Sequence, residues 1–409
     1  MKNDKIEISM KAIYIVLILL AVVTVSGAQN VQYVAAVHCP NINDVRIVAG
    51  YAHCIASDGL VIYDISDPSA PDSISELLLP GQGHGIHVTG SFAYIADGSY
   101  GLQIVNVLDR ANPFVVGSYD TPDVALGIFV SGLYAYVADA GSGLQIIDVS
   151  NRSNPQLVAT FDNYAGAPLG VFVTGDYAYI AEGLSGLEIL DISNPDSLMP
   201  LGIYDTPGYA NSVFILGEYA YVADESGGLQ IIDVSIATNP VLAGAFPTLG
   251  WTFGLTVSDR YAYLADNDAG LQIVDISDPA EPLLAGSYDS LIQTRGVAVS
   301  GDYVYVADRD SLFVLRFTPT AVDDGADRPI SYSLMMNYPN PFNAQTTLIL
   351  GTNENARIGL FDITGRRVAT IYAKNGKAIW DASGFSSGFY FAQLESGEKN
   401  RIIKMVLLK

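Results

Sequence analysis

Histidine, cysteine and basic side chains are scarce in this chain, and each scarcity removes a class of function. The four histidines are His38, His53, His84 and His87, and only the last two stand close together. Strand residues three apart face opposite sides of a sheet, so that pair is not expected to share a metal ion. No Gly-x-Ser-x-Gly elbow, His-Glu-x-x-His pair or phosphate-cradling glycine loop occurs, and Leu184-Ser185-Gly186 belongs to a repeated loop. No catalytic residue can be nominated, and the reading leans away from an enzyme. Lys and Arg number 20 against 43 Asp and Glu, a net charge of −23. Such a surface repels a phosphate backbone, which argues against nucleic acid and disfavours an anionic membrane. Cations, basic partners and neutral glycans stay open, and the acidity speaks first to solubility. The two cysteines, Cys39 and Cys54, leave room for one disulfide. It would need Cα atoms within about 7 Å and an oxidising compartment. The alternative is that Cys54 replaces the tyrosine found there in the other repeats.

Long apolar runs are also missing, with one exception at the N-terminus. Lys2, Lys5 and Lys11 precede the apolar stretch Ala12 to Val25, and Ser26-Gly27-Ala28 offers small residues for cleavage. That stretch is short for a membrane span and no second one follows, so residues 1–28 are expected to be a signal peptide. No transmembrane segment is expected after its removal. No cysteine stands at the cleavage site, which argues against a lipid anchor.

What fills most of the chain is a repeat. The run Tyr134-Ala135-Tyr136-Val137-Ala138 is followed, after a glycine-containing loop, by Leu144-Gln145-Ile146-Ile147-Asp148. With the alanine before the loop as marker, the repeats fall at Ala56, Ala96, Ala138, Ala181, Ala223, Ala265 and Ala307, at intervals of 40, 42, 43, 42, 42 and 42. A period of about 40–45 residues with four short strands per unit indicates propeller blades. The four runs of one unit read as 113–119, 127–131, 134–138 and 144–149. Tyr134 and Tyr136 share a strand face, as do Tyr177/Tyr179, Tyr219/Tyr221, Tyr261/Tyr263 and Tyr303/Tyr305. They are expected to pack between blades. Asp148, Asp191, Asp233 and Asp275 close the fourth run and are expected to bond their own turns. The chain after residue 29 opens on Val31–Val37, a first run, and the last unit stops after Leu312–Leu315. The N-terminal strand should therefore complete the final blade and close the ring.

Residues 29–317 thus read as a seven-bladed β-propeller in an all-β chain. The motif Gly143-Leu144-Gln145-Ile146-Ile147-Asp148-Val149-Ser150-Asn151 resembles the LVIVD repeat family of exported propellers. That resemblance is defined by a repeat and implies no reaction. Residues 318–332 lose the repeat and read as a linker. Over 333–409 stand Asn337-Tyr338-Pro339-Asn340-Pro341-Phe342-Asn343, Asp362-Ile363-Thr364-Gly365-Arg366, the Trp380–Gly384 segment and the end Lys404–Lys409. Strands and hairpin turns of this size suggest a small immunoglobulin-like β-sandwich. The motifs resemble the type A C-terminal sorting domain of type IX secretion cargo. The resemblance implies export through that secretion machinery and placement at the outer-membrane surface or outside the cell.

Two sets of residues are candidates for binding. Asp97, Asp139, Glu182, Asp224, Asp266 and Asp308 follow the third run, and Asp120, Asp162, Asp205 and Asp289 follow the first. These loops share one face of a propeller and would make an acidic rim that attracts cations or a basic partner. With Asp268 in Asp266-Asn267-Asp268, calcium is the candidate ion, although the distal glutamate of a calcium loop is lacking. The bland alternative is that each acid caps a turn. The second set is the residue before the second run, which differs in every repeat: Asp44, His84, Leu126, Leu169, Asn211, Phe253 and Arg295. These should ring the channel mouth, with Trp251 nearby. Asp44, His84, Asn211, Trp251, Phe253 and Arg295 are the expected ligand contacts. The leading expectation is an exported scaffold that binds a protein or glycan. The alternatives are an enzyme or carbohydrate-processing propeller at the same mouth, and calcium-dependent adhesion through the rim.

Overall fold

The computed structural model describes residues 30–162, 166–195, 197–319, 334–338, 345–350, 356–374, 377–394 and 402–407. The expected signal peptide and most of the expected linker lie outside the described residues, as does much of the Tyr338–Asn343 motif. The chain divides into two units, 1–320 and 321–409. Among the described residues the only helix is one 3₁₀ turn, Ala140–Ser142, and no helix is long and apolar enough to cross a membrane.

Seven antiparallel sheets of four strands make the first unit. From the axis outward, blade I is Ile42–Val48, Tyr51–Ala56, Gly59–Asp64 and Asp72–Leu78. Blade II is Gly85–Thr89, Phe92–Ala96, Leu102–Asn106 and Phe114–Tyr119. Blade III is Gly127–Ser131, Tyr134–Ala138, Leu144–Asp148 and Gln156–Phe161, and blade IV is Gly170–Thr174, Tyr177–Ala181, Leu187–Asp191 and Met199–Tyr204. Blade V is Ser212–Leu216, Tyr219–Ala223, Leu229–Asp233 and Val241–Phe246, and blade VI is Gly254–Ser258, Tyr261–Ala265, Leu271–Asp275 and Leu283–Tyr288. Blade VII is Thr294–Ser300, Tyr303–Asp308, Ser311–Phe317 and, outermost, Val31–His38. The N-terminal strand therefore closes the ring as expected, in register from Val31 opposite Phe317 to His38 opposite Ser311.

The sequence unit and the blade differ in phase by one strand. Phe114–Tyr119, grouped in sequence with the runs that follow it, instead pairs with Leu102–Asn106 as the outer strand of the preceding blade. The reason is the path of the chain: the connection 107–113 turns back beside its own blade, whereas 120–126 carries the chain from the outer edge to the axis of the next blade.

Blades stack large on small. Tyr94 of blade II packs in one cluster with Ala135 of blade III, Tyr136 with Ala178, Tyr179 with Ala220 and Tyr221 with Ala262. Each strand alternates its faces, so the tyrosine looks to the next blade and the alanine directly before it to the previous one. Interdigitation of this kind fills the core without voids. The aspartates at the ends of the third strands bond their own turns: Ser150 N–H to Asp148 at 2.7 Å, Ser193 to Asp191 at 2.9 Å and Ser235 to Asp233 at 2.9 Å.

Blade I carries a one-residue offset that its sequence conceals. Its second hairpin pairs Ile55 with Leu60, where blade II pairs Ala96 with Leu102. The loop is one residue shorter, so Ile55 and not Ala56 is the counterpart of the marker alanine. His53, not Cys54, therefore holds the tyrosine position, which corrects the expectation for Cys54. Cys54 faces blade VII and lies with Cys39 and Tyr63 in the cluster between blades VII and I. Both thiols are buried and free, and burial pushes the Cys54 thiol up.

In the second unit, Leu334–Tyr338, Gln345–Leu350 and Lys377–Asp381 form one sheet. Arg367–Ala373, Ala356–Asp362, Gly388–Leu394 and Ile402–Leu407 form the other. Leu348, Ala378 and Trp380 of the first meet Ile358, Leu360, Ala392 and Met405 of the second in one core. The Asp362–Arg366 motif is a clasped turn. Asp362 accepts from the Thr364 hydroxyl at 2.6 Å, from Arg366 N–H at 3.1 Å and from Arg366 Nε at 3.0 Å. These bonds, the Thr364 hydroxyl first, hold its carboxyl at about 2. Gly365 sits at φ 77°, which a side chain resists.

Candidate ligand site in the propeller channel

The loop carboxylates are braces between blades. Asp97, Asp139, Glu182, Asp224, Asp266 and Asp308 are all buried. Asp139 accepts the Thr121 hydroxyl at 2.6 Å and Asp123 N–H at 3.1 Å, both from the crossing loop that enters its blade. Asp224 does the same with Thr206 at 2.5 Å and Gly208 N–H at 2.8 Å, and Asp266 with Thr252 at 2.8 Å and Gly250 N–H at 3.1 Å. Asp308 accepts from Ile292 and Gln293 N–H at 3.1 and 2.7 Å. Burial raises the carboxyls of Asp139, Asp224 and Asp266 above their usual range, and lifts Asp97 to about 6. The two sets of loops do share a face, as expected, but the placement of the six acids is corrected: they point into the loops and are not displayed on a rim. Asp120, Asp205, Asp268 and Asp289 are the exposed ones. Among the described residues no group of three or more His, Cys, Asp or Glu is disposed to hold a metal.

The mouth residues converge. Asp44, His84, Leu126, Leu169, Asn211, Phe253 and Arg295 all line one cavity of about 420 Å³ along the propeller axis. They converge because six of the blades carry glycine or serine directly after them. A Cβ on Gly85, Gly127 or Gly170 would strike the Leu126, Leu169 or Asn211 carbonyl of the next blade, and one on Gly254 would strike that of Arg295. The same rule places Gly296 against Asn43 and Asp44. Asn43 is thus the mouth residue of blade I, and Asp44 stands where the other blades have glycine or serine, a second effect of the offset. Asp44 bridges blades instead: it accepts Ile86 N–H at 3.2 Å and pairs with Arg46 at 3.0 Å. Trp251 is not part of the cavity wall. It is exposed beside the mouth, its ring edge-on to Phe253 at 6.5 Å.

A second ring lies one step deeper, and the sequence reading missed it. It consists of Arg46, His87, Phe129, Phe172, Phe214, Thr256 and Ala298 from blades I to VII. The signal was present: this position varies from arginine to alanine while its neighbours stay Val, Ile or Leu. His87, Phe129, Phe172 and Phe214 form an unbroken aromatic arc, with successive centroids 4.6, 4.7 and 5.0 Å apart. His84 and His87 line the same cavity, contrary to the alternation argument, because His84 precedes the strand that begins at Gly85. Burial lowers both histidines, with Arg295 adding to the effect on His84 and Arg46 to that on His87, which falls to about 4. Both rings are therefore neutral at neutral pH. Arg295 lies over Phe253 at 5.9 Å and makes no ion pair among the described residues.

Seven four-stranded blades around a lined axis, closed by the chain's own first strand, define a seven-bladed β-propeller. The chain belongs to the LVIVD repeat family, whose repeat matches residues 41–76, 80–121, 124–163, 165–206, 207–248, 250–290 and 293–315. Residues 336–408 match the secretion system C-terminal sorting domain, so this is an exported propeller protein. The propeller is similar to that of Myceliophteria thermophila Cps50 (Swd1), with TM-score 0.59 and 11% identity over 70% of this chain and 100% of that one. The RRP9 WD40 repeats give TM-score 0.59 and 11% identity over 70% and 97%. The computationally designed Ika8 protein gives 0.53 and 8% over 72% and 98%. At these identities the likeness is one of fold alone. No curated protein matches the chain.

Proposed function

We propose that the protein is a binding propeller, not an enzyme, displayed on or released from the outer surface of the cell. In this reading the channel mouth engages a protein segment or a glycan, and the immunoglobulin-like C-terminal domain addresses the chain to the secretion machinery. One observation carries it: the positions at which the seven repeats disagree most converge on a single cavity of ligand size. Repeated positions build the fold, and concave sites take their specificity from a few diverse polar and aromatic groups. The exposed Trp251 and Arg295 beside the mouth are residue types that dominate binding energy elsewhere.

The test is a thermal-shift and glycan-array survey of the full chain beside a Trp251→Ala/Arg295→Ala double variant. Ligands that stabilise the parent should leave the variant's melting temperature unmoved. A ligand that binds both proteins equally would place the site away from the mouth and overturn the reading. A shift produced by calcium alone would favour rim adhesion through the exposed aspartates.

A further inference from the structure

The two rings of the channel are unequal around the axis, and the inequality has a chemical direction. Blades II to V present the arc His87, Phe129, Phe172 and Phe214. Blades VI and VII present only Thr256 and Ala298 at the same depth, so the space in the cavity lies opposite the aromatic arc. Blades VII and I, next to one another, supply Arg295 at the mouth and Arg46 below it. Two guanidinium groups therefore border the open side, in a chain whose net charge is −23. Asp44 balances one of them at 3.0 Å. Arg295 has no carboxylate partner among the described residues, so one positive charge in the cavity is uncompensated. Arg295 is exposed where the cavity opens and Arg46 is partly exposed below it, so both can donate charge-assisted hydrogen bonds to an anion that enters from the mouth. Aromatic faces take up the flat apolar side of a ligand, whether an aromatic ring or the C–H face of a sugar.

We propose that the channel binds a compact organic anion with one flat apolar face, its carboxylate held between Arg46 and Arg295 and its flat face against Phe129, Phe172 and Phe214. This deepens the binding reading above and rests on it. The chemistry has two sources, an acidic sugar at the end of a glycan or a free aromatic acid, and the probes separate them.

Isothermal titration of the full chain with glucuronate and glucose, and with benzoate and benzamide, tests the charge within each source. The acid of at least one pair should bind about tenfold or more tighter than its neutral partner, because a charge-assisted hydrogen bond contributes about 1.5–3 kcal/mol. Arg46→Gln should remove most of that preference. Ala298→Phe, which adds a ring without touching a charge, should fill the open side and abolish binding. It keeps the test valid if the arginine variant fails to fold. Equal binding of acid and neutral partner, or full binding by the Ala298→Phe variant, would overturn the proposal. If a neutral glycan binds and is lost with Trp251 and Arg295 but not with Arg46→Gln, the mouth reading stands and the anion inference falls. If all four probes fail to bind while some other ligand responds to the mouth variant, the inference falls likewise.

Discussion

The junction between blades I and II and the junction between blades II and III are built to one plan, but only the second is complete. At the second, Arg152 lies over the Phe92 ring at 4.4 Å and donates from Nε to the Tyr94 hydroxyl at 2.9 Å. At the first, Arg110 lies over the Tyr51 ring at 4.2 Å, but His53 replaces the tyrosine and the buried Arg110 Nε has no acceptor among the described residues. The crossing loops repeat the contrast. Thr121 donates to Asp139, whereas Leu79 occupies the matching place beside Asp97, whose Oδ1 is buried without a partner among the described residues. A buried polar group without its partner costs about 1–3 kcal/mol. The stacked cation is the same at both, so the contrast lies in the polar contacts. The first junction is the weaker seam of the ring.

Transplanting the defect should have the largest effect. Tyr94→His strips Arg152 of its acceptor and leaves a void in the cluster with Ala135, for a loss of about 3–4 kcal/mol by urea denaturation. A loss under about 1 kcal/mol would mean the junctions are not equivalent.

Acid should separate the two junctions next. Burial, with the Arg110 charge adding to it, pushes His53 down to about 4. A histidine with a lowered folded-state pKa binds fewer protons folded than unfolded, so its contribution falls as pH drops from about 6.5 to about 4 and levels off below. Asp97, held at about 6, takes up its proton in the folded state over the same range and works in the opposite sense. Comparison with His53→Tyr isolates the histidine. The variant's advantage should grow by about 3 kcal/mol between pH 7 and pH 4, and parallel pH profiles would refute the assignment.

At neutral pH His53→Tyr should itself raise stability by about 1–2 kcal/mol, by restoring the acceptor for Arg110. The smallest contrast lies in the loops. Asp139→Asn should cost about 1–2 kcal/mol, since two bonds to the ionised carboxylate are weakened. Asp97→Asn should be within about 0.5 kcal/mol of the parent at pH 7, because burial already opposes its charge and the Gly81 N–H is its only donor among the described residues. Equal losses at the two sites would erase the comparison.

Much of the fold was legible in the residues. The Tyr-Ala-Tyr-Val-Ala run and the turn aspartates recur because every interface solves the same packing problem, and Val31–Val37 declares the closure by lacking a hairpin partner of its own. The offset in blade I was not legible by eye, because Ala56 looks like the marker alanine yet stands one residue past it, at the end of the strand before a shortened loop. The interval of 40 at that point was its only trace. The mouth ring was found because those residues vary. The deeper ring was missed because phenylalanine in a strand reads as core, and only the ring contacts of Phe129, Phe172 and Phe214 turn it toward the axis. The loop carboxylates show the converse, since acidic letters in loops say nothing of burial until the threonines beside them are seen.

The closing strand also sets an order of events. Val31 finds Phe317, and Asn30 O receives Thr318 N–H at 2.9 Å, across nearly the whole propeller sequence. Contacts this distant along the chain form late, since the entropy of joining the ends is lost before any reward is gained. The N-terminal strand of the propeller is thus the last of its strands to be docked. Until the seventh repeat arrives it has no sheet to join, the edge of blade VI stands uncovered, and the channel has no complete wall. A closed channel is in this way withheld from any chain that has not yet reached Phe317.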